Sequence, residues 1–230
     1  MIYPFLFLCE EYMSRKNRIK WGIVLTTTVN IHNVNFLHQK NKEERLQTYL
    51  TSIRQWLTTD LPIIVIENSG YTFPELKGTR VEVITFNSKD DKEFNHFLHS
   101  LLELKDKGIY ELRSIRYACE NSRLLKHCTH VMKVTGRYFI PSLEGILKKL
   151  PYSTKAVRQN NSDQCEVFGC RKDYVETIFD YILMNKDKKL CPTIEKVYQY
   201  RISLIPHAVL PIMPISPTKR GGVNEIKTFL

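Results

Sequence analysis

The stretch His130-Val131-Met132-Lys133-Val134-Thr135-Gly136-Arg137-Tyr138 decides the predicted fold. Its first five residues predict a buried strand, and apolar residues at helical spacing in 109–125 predict a helix before it. Gly136 allows the backbone to turn directly after the strand. Lys133 and Arg137 place two cations at this strand end, and we interpret them as a phosphate-binding pair. The alternative is that both form surface ion pairs.

Three earlier segments also predict buried strands, because each is a short apolar run closed by polar residues: 22–29, 61–66 and 80–86. Segment 42–57 has apolar residues three and four apart, which predicts a helix with one buried face. Strands that alternate with helices predict an α/β fold, a mainly parallel sheet with helices on both faces.

Ligands of such sheets bind beyond the carboxyl ends of the strands, at a point where the chain order reverses. The polar residues that follow the predicted strands are therefore candidates for the site: 26–30, Glu67, Asn68, Ser69, Asn87 and 133–137.

The rest of the chain predicts shorter elements. Apolar spacing predicts helices at 94–101, at 143–150 with Ser142 as its cap, at 175–182 and at 194–205, and strands at 156–158 and 165–170. We predict three parts, namely an accessory or poorly ordered segment 1–20, a main domain 21–206 and an extended closing segment 207–230.

Composition limits the class of protein. A chain of 230 residues suits one domain, and its net charge of +10 suggests a partner that carries phosphate, or a solvated lysine-rich surface. The lysines are scattered, which argues against a dedicated nucleic-acid binder. The six cysteines show no Cys-x-x-Cys spacing, so we predict free thiols in a cytoplasmic protein. The apolar run 2–8 is too short to span a bilayer, which leaves peripheral membrane contact as an alternative.

Several known site motifs are absent from the sequence. No Gly-x-Gly-x-x-Gly follows the first predicted strand, and neither Gly-Lys-Ser/Thr nor Gly-x-Ser-x-Gly occurs. The seven histidines show no metal-binding spacing. We therefore predict neither a dinucleotide cofactor nor a bound metal.

Three short motifs resemble a group of GT-A-fold glycosyltransferases associated with surface-polysaccharide genes of bacteria and large viruses. They are Glu67-Asn68-Ser69, the Lys-Gly-x-x-Glu of 107–111, and Lys-Val-Thr-Gly-Arg-Tyr at 133–138, where other members of the fold carry Asp-x-Asp. The resemblance covers roughly 21–200. It implies that 21–206 is a catalytic domain that moves a sugar from a nucleotide-sugar donor to a glycan or other hydroxyl acceptor.

The resemblance also implies roles for individual residues. Without Asp-x-Asp, Lys133 and Arg137 would take over from a metal ion in stabilising the leaving phosphate. Glu195 resembles a late carboxylate that acts as a base, although the helix dipole also explains its place, and Asp163 and Glu166 are competing carboxylates. The implied donor-binding residues are Thr26, Thr27, Glu67, Asn68, Ser69, Asn87, Gly108, Glu111, Thr135, Gly136 and Tyr138.

Two alternatives stay open from the sequence. Glu111 could pair with a nearby lysine instead of the donor. The whole chain could be a non-catalytic module that binds a nucleotide or nucleic acid through its positive charge, or a transferase fold without activity. The transferase interpretation expects a nucleotide sugar and a hydroxyl acceptor as partners, and no nucleic acid.

Overall fold

The chain alternates between strands and helices. Most of the strands form one large sheet, and helices cover both of its faces. We describe a computed structural model, for residues 19–30, 41–92, 94, 96, 107–160, 164–180, 193–220 and 225–230. The strands are β1 (Trp21–Thr27), β2 (Ile63–Glu67), β3 (Glu82–Thr85), β4 (His130–Thr135), β5 (Ala156–Arg158), β6 (Val167–Arg171), β7 (His207–Val209), β8 (Pro214–Lys219) and β9 (Ile226–Phe229). The helices are α1 (Lys42–Trp56), α2 (Lys107–Asn121), α3 (Leu143–Lys148), α4 (Val175–Ile178) and α5 (Ile194–Ser203).

The large sheet has seven strands in the order β3-β2-β1-β4-β6-β5-β7. β1 pairs in parallel with β2 and β4, and β2 pairs in parallel with β3. β6 is antiparallel to both β4 and β5, and β7 runs parallel to β5. The predicted fold is confirmed, and the four strands predicted first lie side by side in this sheet.

The two faces of the sheet are covered by different helices because side chains alternate along each strand. Ile23 and Leu25 of β1 belong to the core cluster that contains the buried side chains of α1. Val24 points the other way and belongs to the cluster of α2 and α5. α1 begins at Asn41, whose side chain accepts a hydrogen bond from the Glu44 amide at 3.0 Å.

Gly136 lets the turn after β4 lie directly against β1. Its amide donates to the Thr26 carbonyl at 2.9 Å. A Cβ at this position would stand 2.7 Å from the same carbonyl oxygen and 2.7 Å from Cγ2 of Thr27. Only glycine allows this approach without movement of the backbone, so the turn predicted at Gly136 has a steric reason.

The C-terminal part contains three strands, where the sequence predicts only an extended closing segment. β7 pairs with β5 at the sheet edge, and β8 and β9 form an antiparallel hairpin. The ammonium of Lys227 on β9 lies 2.6 Å from the carboxylate of Glu166, and both residues are buried. The boundary proposed at 206/207 stays a prediction.

Several details differ from the sequence predictions. The predicted helix 109–125 ends at Asn121, because the Glu82 carboxylate accepts from the amides of Arg123 and Leu124 and starts a separate 3-10 turn. Ser142 occupies the N-cap position of α3, as predicted, but among the described residues its side chain makes no capping hydrogen bond.

Other sequence predictions lie wholly or partly outside the described residues: the segment 1–20, most of the helix 94–101, the end of the helix 175–182, and Asp163. Within the part of the chain that the structure describes, no helix has the length and apolar character needed to cross a membrane.

Candidate functional site

The carboxyl ends of β1 and β4 form the switch point of the sheet. β1 lies between β2 and β4, and the helix that follows β1 covers one face while the helix that precedes β4 covers the other. Such a reversal leaves a crevice beyond the strand ends, where α/β proteins bind ligands. Thr26 and Thr135 are register partners at this end of β1 and β4. The sequence therefore places its main candidates at the expected position.

Lys133 is a fully buried cation with a complete set of partners. Its ammonium lies 2.8 Å from Oε1 of Glu111, 2.5 Å from the Cys165 carbonyl oxygen and 3.1 Å from the Thr135 hydroxyl. An ammonium has three donors, so these contacts use all of them. The structure therefore shows the alternative arrangement, in which Glu111 pairs with a lysine.

The charge state of Lys133 depends on this partner. Burial alone would lower the pKa of Lys133, because it penalises the charged form. The neighbouring Glu111 carboxylate outweighs that penalty, and the pKa of Lys133 lies above its ordinary value. Lys133 is therefore charged and neutralised within the protein, rather than presented to an incoming phosphate.

Further candidates surround this ion pair. The Thr26 hydroxyl lies 3.5 Å from Oε2 of Glu111, and the Cys165 thiol donates to Oε1 of Glu195 at 3.8 Å. Burial raises the pKa of Cys165 well above its ordinary value, against the opposing effect of Lys133, so the thiol stays neutral. Five sequence-predicted residues thus join one network through Lys133 and Cys165: Thr26, Glu111, Lys133, Thr135 and Glu195.

Glu67 ties together the loops that follow β1 and β2. Its buried carboxylate accepts from the amides of Val29 at 2.8 Å, Ser69 at 2.8 Å and Tyr71 at 2.9 Å. The Ser69 hydroxyl also donates to it. These bonds occupy the carboxylate, so Glu67 shapes the edge of the crevice.

Asn68 and Asn87 also stabilise loops. The Asn68 side chain accepts from the Thr28 hydroxyl at 2.7 Å and donates to the Ser114 hydroxyl at 3.1 Å. Asn87 forms an isolated antiparallel bridge with Ser69. Asn68 thus links the loop after β1 to α2, and Asn87 links the loops that follow β2 and β3.

Three more predicted residues occupy packing positions. A Cβ on Gly108 would stand 2.6 Å from Cβ of Ile194, so glycine allows α2 to pack against α5. Tyr138 is 1 % exposed, and burial raises its pKa to about 12. The Thr27 hydroxyl donates to the Ile66 carbonyl at 3.1 Å.

Arg137 lies on the opposite face of the sheet from Lys133. Met132 and Val134 face α1, so Lys133 between them faces α2. The turn at Gly136 sends Arg137 to the α1 side, where it lines a cleft of about 360 Å³ between α1 and β8. Its Nη1 is buried and has no hydrogen-bond partner among the described residues. The structure therefore does not bring the two predicted cations together.

Sequence reasoning missed Ser52 and the β8–β9 hairpin. Ser52 lines the same cleft as Arg137, and four residues of β8 form the facing side. The sequence does contain a pattern that indicates Ser52, because a polar serine stands between Tyr49 and Trp56 on the buried face of α1. No local pattern indicates where the hairpin docks. Among the described residues, no group of three or more His, Cys, Asp or Glu side chains could hold a metal ion.

Comparisons with known proteins support the fold. No protein-family model matches the chain, and no curated protein sequence matches it. The glycosyltransferase GlyE of Streptococcus pneumoniae TIGR4 is similar in structure, with a TM-score of 0.50 and 10 % identity over 84 % of this chain and 46 % of that chain. Its apo form gives a TM-score of 0.51 and 8 % identity over 84 % and 45 %.

A glycosyltransferase involved in glycosylation of the major capsid of PBCV-1 gives a TM-score of 0.45 and 11 % identity over 82 % of this chain and 80 % of that chain. The chain spans less than half the length of the GlyE chains. At these identities the likeness concerns the fold alone, which in this chain is an α/β fold with a mostly parallel seven-stranded sheet.

Proposed function

We propose that this protein is a glycosyltransferase that moves a sugar from a nucleotide-sugar donor to a glycan or other hydroxyl acceptor. The observation that carries the proposal is the arrangement at the switch point. There, predicted site residues from β1, α2, β4 and α5 meet on one face, and Arg137 has an unpartnered guanidinium nitrogen on the other. The GlyE-like fold is consistent with this activity.

The reaction needs a positive group at the leaving phosphate. When the bond between sugar and phosphate breaks, the phosphate oxygen keeps the electron pair and gains charge. Fixed cations can stabilise that charge in place of a metal ion. Arg137 is suited to this role, because its guanidinium offers a two-pronged donor to phosphate and Nη1 is not already bonded.

Lys133 has a positioning role in this proposal. Its ammonium holds Glu111, Thr135 and the Cys165 carbonyl oxygen at fixed distances. It thereby orders the ends of β4 and α2 beside the crevice. Direct contact with the donor would require Lys133 to exchange one of these three bonds.

Glu195 is the proposed base that takes the proton from the acceptor hydroxyl. Of the two competing carboxylates, Glu166 pairs with the buried Lys227, and Asp163 lies outside the described residues. Among the described residues, the contact found for Glu195 is the weak hydrogen bond from Cys165. No ion pair to another described residue holds this carboxylate, so it can turn toward an acceptor hydroxyl.

The first experiment is a thermal-shift screen of nucleotides and nucleotide sugars, with Mn²⁺ or with EDTA. A ligand that binds the folded state raises the melting temperature by mass action. We expect a saturable response to one nucleotide class, and transfer activity that EDTA does not abolish. Activity lost in EDTA and restored by Mn²⁺ would show that the metal-independent part of the proposal is wrong.

The second experiment tests Arg137 with the donor that the screen identifies. Removing a charge-assisted contact to the leaving group costs about 2–4 kcal/mol in the transition state. We therefore expect Arg137→Ala to lose roughly a hundredfold or more in turnover. Arg137→Lys keeps the charge but loses the fork geometry, so it should also be impaired. Near-normal turnover in both folded variants contradicts the role of Arg137.

A further inference from the structure

The cleft between α1 and β8 has a polar lining. Its volume is about 360 Å³, within the range of small-molecule sites. None of the described residues that line it is aromatic, and none is a large aliphatic residue. They are Glu44, Gln47, Thr48, Thr51, Ser52, Gln55, Arg137, Ser216, Pro217, Thr218 and Lys219.

Two polar groups in this cleft are buried and have no partner in the described part of the chain. Ser52 is 2 % exposed, and its hydroxyl forms no hydrogen bond there. One turn earlier on the same helix, the Thr48 hydroxyl donates to the Glu44 carbonyl at 2.8 Å, which is the usual arrangement within a helix. Nη1 of Arg137 is the second unpartnered group. Buried polar atoms are nearly always bonded, so two unbonded donors in one cleft indicate a ligand.

The charges of the cleft select an anion. The ammonium of Lys219 lies 3.3 Å from the carboxylate of Glu44, so these two charges offset each other at the edge of the cleft. Arg137 has no ion pair among the described residues, and its charge remains to be balanced. A guanidinium beside a hydroxyl donor is a suitable set for a phosphate oxyanion.

The hairpin that forms one side of the cleft is firmly attached. The buried ion pair of Lys227 and Glu166 fixes β9 to the sheet at 2.6 Å. The backbone of Met213 exchanges two hydrogen bonds with Leu230, at 2.7 and 2.9 Å. β8 is therefore a stable wall of the cleft.

We propose that the cleft between α1 and β8 binds the diphosphate end of the nucleotide-sugar donor, with Ser52 and Arg137 as its donors and the β8–β9 hairpin as its wall. This inference rests on the proposed function, because it identifies the anion with the leaving group of that reaction. It adds Ser52 and the hairpin to the donor site, and neither belongs to the motifs at the strand ends.

The test measures binding of pyrophosphate and of neutral glucose to the full chain by calorimetry. Ser52→Ala and Arg137→Gln are compared with Arg54→Gln, which removes an exposed charge from the same helix outside the cleft. A hydrogen bond to a charged group contributes enough for about a tenfold weaker affinity in Ser52→Ala. We expect a larger loss in Arg137→Gln, an unchanged affinity in Arg54→Gln, and no glucose binding. Pyrophosphate affinity unchanged in Ser52→Ala overturns the inference.

The same variants separate this inference from the proposed function. If the donor binds to wild type and to Ser52→Ala equally, while Arg137→Gln fails to bind it, the cleft assignment is wrong and the transferase proposal stands. If pyrophosphate binding needs both Ser52 and Arg137, but no nucleotide sugar binds or is turned over, the cleft is an anion site and the transferase proposal is wrong. Thermal melts establish that each variant is folded.

Discussion

Lys133 shows how the sequence can place a residue correctly without revealing the contacts that the residue makes. Period-2 alternation predicts that Lys133 and Thr135 share a face, and their side chains do lie 3.1 Å apart. The pattern cannot show that Glu111, one turn into α2, reaches the ammonium at 2.8 Å. That contact depends on how α2 packs on the sheet, which no local signal specifies.

We expect Lys133→Met to lower the free energy of unfolding by about 3 kcal/mol, because it leaves Glu111 without its partner at a site that is mostly buried. Glu111 is 21 % exposed, so water screens part of this loss. The double variant Lys133→Met/Glu111→Leu should recover much of the stability, since no unpaired charge remains. Urea unfolding measures the stability of the single and of the double variant. Equal losses in the single and the double variant would contradict this account.

The same ion pair predicts a pH dependence. The folded protein raises the pKa of Lys133 above its value of 10.5 in the unfolded chain. The contribution to stability is therefore fully present below pH 10.5 and is lost as the pH rises through the folded pKa. Wild type should lose stability in this alkaline range more steeply than Lys133→Met does.

At the scale of elements, buried apolar runs and helical spacing predict β1, β2, β4 and α1 closely, because each element buries a face that its own sequence defines. The direction of the chain after β4 could not be predicted in the same way. Simple alternation puts Arg137 on the face of Lys133, whereas the turn at Gly136 sends it to α1. The docking of the hairpin was equally unpredictable, since Glu166 and Lys227 are far apart in sequence.

The close packing of the turn after β4 against β1 can be tested with a matched pair of glycines. We expect Gly136→Ala to lower the free energy of unfolding by about 1–3 kcal/mol, because the new Cβ would press on the Thr26 carbonyl, which belongs to the backbone and cannot rotate away. Gly145 in α3 has open space around it, so Gly145→Ala should be neutral or stabilising by about 1 kcal/mol. Chemical denaturation of both variants provides the comparison. A Gly136→Ala protein as stable as Gly145→Ala would show that the close approach is not required.

At the scale of the whole molecule, the net charge of +10 permits two kinds of partner. Exposed lysines occur on separate elements, such as Lys77 after β2, Lys126 before β4 and Lys148 on α3. A nucleic-acid interface normally gathers its cations along one face or helix. This scattered charge fits a solvated surface around a small anion-binding site better than a long phosphate-binding track.

Salt dependence distinguishes these partners because each phosphate contact releases counterions when it forms. A protein that makes six to ten contacts with duplex DNA loses about 10³–10⁵-fold in affinity between 50 and 200 mM salt. Among the described residues that line the cleft, Arg137 is the one cation outside an ion pair. The affinity of the cleft for its ligand should therefore fall by less than about tenfold over the same range. We expect the nucleotide sugar found by screening to show this shallow dependence, and Lys126→Gln to leave its affinity unchanged. Tight DNA binding that falls steeply with salt, together with an absence of any nucleotide-specific response, would replace the transferase proposal with a nucleic-acid-binding function.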